Sequence, residues 1–220
     1  MQIAYFAADP ETQVSSVRSR RMIIIVDYGM GNLRSVHHKV SKLGVGVKVS
    51  SDPKDILEAD KLILPGVGSF AAGMKNLKEL GLIEALEKRV LEDKIPILGI
   101  CLGMQLFTNM SEEGNVKGLA WIDAKTIRFT CDLKVPHVGW NDLRISRKST
   151  LFKGVPKGTH FYFTHSYHVV CNDKKDVLAT TEYGYDFSSA LQKENIYGTQ
   201  FHPEKSHKKG MRIMENFIKC

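Results

Sequence analysis

Apolar and polar positions along the chain fall into two regimes. In the first half, runs of β-branched residues alternate with stretches whose apolar residues recur every three or four positions. Ile23-Ile24-Ile25-Val26 has the composition of a strand covered on both faces, and Asp27-Tyr28-Gly29-Met30-Gly31 ends it in a turn. Asn32 can then cap a helix with Leu33, Val36, Val40 and Leu43 on one face, which Gly44 closes before a second strand, Val45 to Val49. Lys61-Leu62-Ile63-Leu64 predicts a third strand, broken by Pro65-Gly66. Met74, Leu77, Ile83, Leu86 and Val90 then carry a helical period to about Glu92, and Pro96 to Ile100 predicts a fourth buried strand leading directly into Cys101 and a short helix.

From Trp121 to about Gln200 the pattern changes to short alternating or β-branched runs: Ala124 to Phe129, His160 to Phe163, Tyr167 to Val170 and Val177 to Thr181, separated by Gly, Pro and Asn-Asp turns. These read as a mixed, largely antiparallel extension of the same sheet. A last helix, near Ser206 to Ile218, places Met211, Met214, Phe217 and Ile218 on one face. The whole predicts an α/β fold with a central mixed, mostly parallel sheet covered by helices, and ligands at the carboxyl ends of its strands. No repeat, low-complexity tract or linker divides Met22 to Cys220, while residues 1–21 have no apolar period that would pack on the sheet. They read as a dispensable extension, with Met22 a candidate initiator.

Composition narrows the setting. Of 220 residues, 43% are hydrophobic and 25% charged, the balance of a globular chain, which excludes disorder, collagen and coiled coil. The longest uncharged run, beginning at Ile95, contains Pro, Gly, Gln, Thr and Asn, and falls short of the roughly 18 apolar residues that span a bilayer. The apolar stretch Ile3 to Ala8 is followed by acids and has Arg18, Arg20 and Arg21 on the wrong side for a secretory signal. Cys101, Cys131, Cys171 and Cys220 form no CxxC pair, so neither a disulfide framework nor a zinc site is expected, and a cytoplasmic location fits. The net charge of +7 is spread out, except between Leu143 and His160, where Arg144, Arg147, Lys148, Lys153 and Lys157 stand without an acid. That run reads as a solvated face or as a docking patch for an acidic partner or phosphate; no nucleic-acid motif accompanies it.

Three segments carry candidate chemistry. Gly99-Ile100-Cys101-Leu102-Gly103 has the pattern of a nucleophile elbow with Cys in place of Ser, since glycines permit the tight strand-to-helix turn and a helix N-terminus favours thiolate. A structural cysteine in a glycine-flanked turn is the plainer alternative. In Gln200-Phe201-His202-Pro203-Glu204, extended chain would put His202 and Glu204 on one face, giving a base for the thiol and a carboxylate to orient it; a turn with a surface acid is the alternative. Leu64-Pro65-Gly66-Val67-Gly68-Ser69-Phe70 can aim backbone N–H groups at a developing oxyanion, with Leu102 as a second donor; as a phosphate loop it lacks the Lys-Ser/Thr ending.

These segments, together with Asp27-Tyr28-Gly29 and Gly31-Asn32-Leu33, Met104-Gln105, Pro136-His137-Val138-Gly139-Trp140-Asn141, Tyr162-Phe163-Thr164-His165-Ser166-Tyr167 and Lys205-Ser206, resemble the class I glutamine amidotransferases. Within that family they are most similar to the glutaminase subunits of imidazole glycerol phosphate synthase. The resemblance implies a single-domain amidotransferase fold, with no cofactor or metal, in which Cys101 attacks the glutamine carboxamide, His202 shuttles the proton and Glu204 orients His202. It also implies an oxyanion site at Val67, Gly68 and Leu102 and a glutamine pocket at Gln105, Glu113, His165, Ser166 and Tyr167. The partner it implies is a (β/α)8-barrel cyclase subunit that receives the ammonia and meets Asn32, Trp140 and Lys205, with no role for membrane or nucleic acid. Thr164, His168 to Cys171 and Lys205 to Gly210 are similar to the variant in paralogous subunits of surface-polysaccharide pathways, where ammonia goes to an amidinated sugar. A non-catalytic interaction subunit of the same fold, or a cysteine peptidase or esterase of related architecture, are the alternative readings.

Overall fold

The computed structural model describes residues 21–220. Except for Arg21, the predicted N-terminal extension lies outside them. The chain begins with β1 (Met22–Val26), α1 (Leu33–Ser41) and β2 (Gly46–Ser50). Asn32 is the cap: its Oδ1 accepts the Ser35 N–H at 3.2 Å, and Gly44 closes the unit with φ +74°. A short α2 (Pro53–Leu57), unanticipated from periodicity, starts where Asp52 Oδ1 accepts the Lys54 N–H at 2.9 Å ahead of a first-turn proline.

β3 (Lys61–Gly66) does not stop at Pro65 as predicted. β1 pairs it only as far as Ile63, while the other neighbour, β4 (Ile97–Cys101), stays in parallel register through Pro65 opposite Ile100 and Gly66 opposite Cys101. Beyond Ile63 the proline therefore has a strand on one side only, where a missing N–H is tolerated. The single helical period to Glu92 is two helices, α3 (Phe70–Glu79) and α4 (Leu82–Glu87), the second running into a π-turn at Lys88–Glu92. Gly81 separates them with φ +63°, a left-handed conformation that suits glycine. After β4 comes α5 (Leu102–Gln105).

The second half consists of β5 (Met110–Ser111), β6 (Val116–Lys117), β7 (Ala124–Arg128), β8 (His137–Asp142), β9 (Arg144–Ile145), β10 (His160–His165), β11 (Tyr167–Cys171), β12 (Val177–Glu182), β13 (Asp186–Lys193), β14 (Ile196–Thr199) and α6 (His207–Ile218). One sheet runs β2-β1-β3-β4-β14-β13-β11-β7-β5-β6, with β12 beside β13 and β9 beside β12. The strands β2 to β14 along this order are parallel, and from β13 onward pairing is mainly antiparallel. The predicted extension is thus present with one correction. The His160–Phe163 run leaves the main sheet and forms a separate antiparallel ribbon, β10 against β8, from His160 opposite Asp142 to His165 opposite His137.

Alternation along the parallel strands sorts side chains onto two faces. Ile24, Val26, Leu62, Leu64 and Ile97 pack with Phe70, Leu77, Leu82 and Leu86, under α3 and α4. Ile23, Ile25, Ile63, Leu98 and Ile100 pack with Val36, Val40, Ile213 and Phe217, under α1 and α6. Both faces are covered, as the β-branched runs require. Met211 and Ile218, predicted on the α6 core face, are half-buried beside Ile213, Met214 and Phe217.

Candidate active site

The carboxyl ends of β3 and β4 meet at Gly66 and Cys101. Cys101 has φ +55° and ψ −110°, a strained backbone for a residue with a Cβ, and it is 6% exposed. The turn needs glycine around it: a Cβ on Gly103 would land on the Leu64 carbonyl oxygen, and one on Gly66 would strike the Tyr28 hydroxyl. Close backbone approach, not flexibility, sets the elbow.

Cys101 lies in the wall of a cavity of about 290 Å3, lined also by Val67, Gly68, Leu102, Gln105, Glu113, Pro136, Thr164, His165, Ser166 and Tyr167. Every residue predicted for the oxyanion site and the glutamine pocket is therefore at one place, although the segments are far apart in the chain. Glu113 is held there because its Oε2 accepts the Phe70 N–H at 2.7 Å, at the start of α3. Gly66 is in ladder register opposite Cys101, and just beyond it Gly68 has φ +104°.

His202 and Glu204 do not line the cavity; they stand behind the thiol, both nearly inaccessible to solvent. The extended geometry expected for them is not what joins them. β14 ends at Thr199, and Pro203–Lys205 is a 3-10 turn that folds Glu204 back, so that Oε1 lies 2.8 Å from His202 Nδ1. The backbone is pinned as well: the His202 N–H donates to the Tyr162 carbonyl at 2.9 Å, and Ser206 Oγ donates to the His202 carbonyl at 2.6 Å. Burial works against a charged imidazole here, but Cys101, then Glu204, outweigh it and raise His202 to about 9. Nε2 has no hydrogen-bond partner among the described residues, and Cys101 Sγ sits 3.9 Å from the Thr164 carbonyl oxygen.

Two groups escaped the sequence reading. Gln200, fully buried, places Nε2 3.6 Å from Cys101 Sγ. His137 Nδ1 lies 3.2 Å from His165 Nε2, whose ring reaches the Tyr167 carbonyl through Nδ1 at 2.8 Å. Burial holds His165 well below the usual histidine range and His137 at about 4, so both rings are neutral at pH 7. The Tyr167 carbonyl can only accept, so His165 carries its proton on Nδ1 and His137 donates to Nε2. Alternation in β8 and the segment from Gln200 to Glu204 were the available signals, but neither identifies a long-range amide or imidazole contact.

Of the expected partner-facing residues, Asn32 is exposed at the α1 cap and Trp140 is 47% exposed on the ribbon. Trp140 stacks on His207 at 5.1 Å and meets Tyr162 edge-on at 5.9 Å, while Lys205 Nζ stands 5.5 Å over the Tyr162 ring. The basic run lies apart: Arg144 pairs with Glu182 and Asp186, and Arg147, Lys148 and Lys153 line an open hollow of about 670 Å3 that shares no residue with the thiol cavity. Among the described residues no group of three or more His, Cys, Asp or Glu is arranged to hold a metal, and no helix is long and apolar enough to cross a membrane.

Comparison with known proteins adds the following. Residues 24–220 match the family model for class I glutamine amidotransferases. A Methanococcus maripaludis protein named imidazole glycerol phosphate synthase subunit HisH 2 is 56% identical over 200 residues, spanning 90% of this chain and 99% of that one. The Moorella thermoacetica subunit HisH is 48% identical over 198 residues, spanning 90% and 94%. Among solved structures, one described as glutamine amidotransferase superposes with a TM-score of 0.72 at 21% identity, covering 89% of this chain and 97% of that chain. A structure of PurLQS from Thermotoga maritima superposes with a TM-score of 0.69 at 16% identity, covering 91% and 98%. At these identities the structures bear on the fold alone.

Proposed function

The chain belongs to the class I glutamine amidotransferases, and from that premise we propose that it is the glutaminase subunit of an imidazole glycerol phosphate synthase, with Cys101, His202 and Glu204 as its catalytic residues. The Cys101 thiol passes its proton to His202 Nε2, and the thiolate adds to the side-chain carboxamide carbon of glutamine. Backbone N–H groups of Val67, Gly68 and Leu102 hold the oxyanion. The C–N bond then breaks as His202 hands the proton to the departing ammonia, leaving a glutamyl thioester. Water, deprotonated by His202, adds to the thioester, the C–S bond breaks, and glutamate leaves with the thiol restored. Glu204 keeps the imidazole in the orientation both transfers need.

In this reading Gln105, Glu113 and the His165–Tyr167 backbone hold the substrate's amino-acid end, the free Glu113 oxygen facing its ammonium group. Ammonia passes to a (β/α)8-barrel cyclase subunit docked over Asn32, Trp140 and Lys205. The observation that carries the proposal is the strained thiol in the cavity wall with a buried His202–Glu204 pair behind it, bonded at 2.8 Å.

The test is ammonia release from glutamine, with and without the cyclase and its nucleotide substrate. The expected result is release that is lost in Cys101→Ala while circular dichroism is unchanged, and imidazole glycerol phosphate formation only with both subunits present. Release near the wild-type rate by Cys101→Ala would overturn the mechanism. Glutamine hydrolysis by the complex without imidazole glycerol phosphate would move the acceptor elsewhere.

A further inference from the structure

Two buried glutamine amides and the Tyr167 carbonyl form a chain that ends at the sulfur, and their order leaves little choice of orientation. Gln105 Nε2 donates to the Tyr167 carbonyl at 2.9 Å and to Gln200 Oε1 at 3.0 Å. Gln200 Nε2 in turn faces Cys101 Sγ at 3.6 Å. Gln105 is 5% exposed and Gln200 fully buried, so the Gln200 amide has only its protein neighbours to pair with.

A carbonyl oxygen accepts and never donates, so the Tyr167 carbonyl fixes which end of the Gln105 amide faces it. Turning Gln105 over would set two acceptors 2.9 Å apart. With Gln105 fixed, its remaining N–H needs an acceptor, and Gln200 Oε1 supplies it. Turning Gln200 over would then set two donors face to face and bring its oxygen against the sulfur. The one arrangement without a clash of like groups points an N–H of Gln200 at Cys101.

We infer that Gln200 is a catalytic residue that stabilises the Cys101 thiolate by donating to Sγ, and that Gln105, beyond bordering the glutamine pocket, is the positioning residue that aims it through the Tyr167 carbonyl. An N–H donor favours the thiolate over the thiol, because the anion is the stronger acceptor. Proton transfer to His202 thus leaves a sulfur with a hydrogen-bond donor on one side and the imidazolium to pair with it. This rests on the reading of Cys101 as nucleophile.

The test is the rate of Cys101 alkylation by iodoacetamide as a function of pH, read by mass spectrometry on the full chain so that the other three cysteines are counted separately. It reports thiol ionisation without reference to turnover. Gln200→Leu is expected to raise the midpoint by about one to two pH units, which is roughly 10- to 100-fold slower alkylation at a pH below it, the scale of one hydrogen bond to a charged group. Gln105→Leu should raise it by less, since Gln200 keeps its amide and loses only the group that aims it. In the unaltered chain, the Gln200 side-chain 15N–1H resonances should titrate with the Cys101 midpoint and cease to do so in Cys101→Ala, which needs no core substitution to fold. Unshifted midpoints in folded Gln200→Leu, or Gln200 resonances indifferent to Cys101, would overturn the inference. Wild-type glutaminase that survives stoichiometric Cys101 alkylation would instead sink the assignment of the nucleophile.

Discussion

At the scale of single residues, the coupling of His202 to its two neighbours has a pH signature. The imidazolium is stabilised in the fold relative to an exposed histidine, so its contribution to stability is complete below about 6.5 and is lost as pH rises through about 9. Activity should decline over the same alkaline range, since the departing ammonia needs the proton on Nε2. Replacing the carboxylate by an amide in Glu204→Gln removes part of what raises His202, so the alkaline limb of kcat should move toward neutral pH, with kcat itself down by roughly 100- to 10,000-fold as for other orienting acids. An alkaline limb left in place in a folded Glu204→Gln protein would show that the 2.8 Å contact does not set the histidine. NMR titration of His202 in Cys101→Ala should show a lower value than in the wild type, because the Cys101 side chain, through its hydrogen bond and then its charge, is a larger source of the rise than Glu204. The members of this site were not equally legible in the sequence. Cys101 and His202 sit in short motifs whose spacing is local, whereas Gln200 takes its meaning from Gln105 and Tyr167, and no pattern along the chain encodes which end of an amide faces which carbonyl.

At the scale of elements, the parallel half follows closely from its pattern because each unit is local: a β-branched run, a cap at Asn32, a period in Val36 and Val40, and a stop at Gly44. The errors fall where a neighbour overrides local preference. Pro65 ends a strand by propensity, yet β4 keeps its register to Gly66; the Met74-to-Val90 period runs through a break that Gly81 makes; and β10 leaves the sheet its sequence resembles because β8 takes both its length and its register. The elbow shows the same dominance of neighbours. Since a Cβ at Gly103 would occupy the Leu64 carbonyl, Gly103→Ala must push α5 off β3, at the upper end of the about 1–3 kcal/mol that overpacking costs. Thermal melting is expected to fall by about 5–10 °C at this chain length, with glutaminase activity lost beyond what the melting shift explains, because the thiol moves with the helix. An unchanged melting temperature would mean that the turn relaxes freely.

At the scale of the whole molecule, the thiol cavity and the exposed tryptophan lie along one ribbon. β8 carries His137, which meets His165 beside the cavity, and further along the same strand Trp140, stacked on His207 at the surface. A partner that buries Trp140 therefore grips a two-stranded lever, part of which lines the proposed glutamine pocket. Trp140→Ala should weaken the complex by about 2–4 kcal/mol, as central aromatic anchors do, and lower partner-stimulated glutaminase more than it lowers the melting temperature of the free chain. Equal stimulation at saturating partner would refute the lever while leaving the anchor. A chain begun at Met22 retains both faces of the sheet and every candidate site residue, and is expected to match the full chain in melting temperature and in activity; a loss of several degrees would assign residues 1–21 a structural part. The crowded elbow, finally, has a reading in terms of descent. Gly66 and Gly103 are required by steric contact with Tyr28 and Leu64, not by chemistry. A relative that gave up turnover and survived as a binding subunit would be free to lose Cys101, His202 or Glu204, yet would still be obliged to keep those glycines. Persistence of the glycines in a lineage would trace the fold, and on the proposed mechanism the thiol, imidazole and carboxylate alone would trace the reaction.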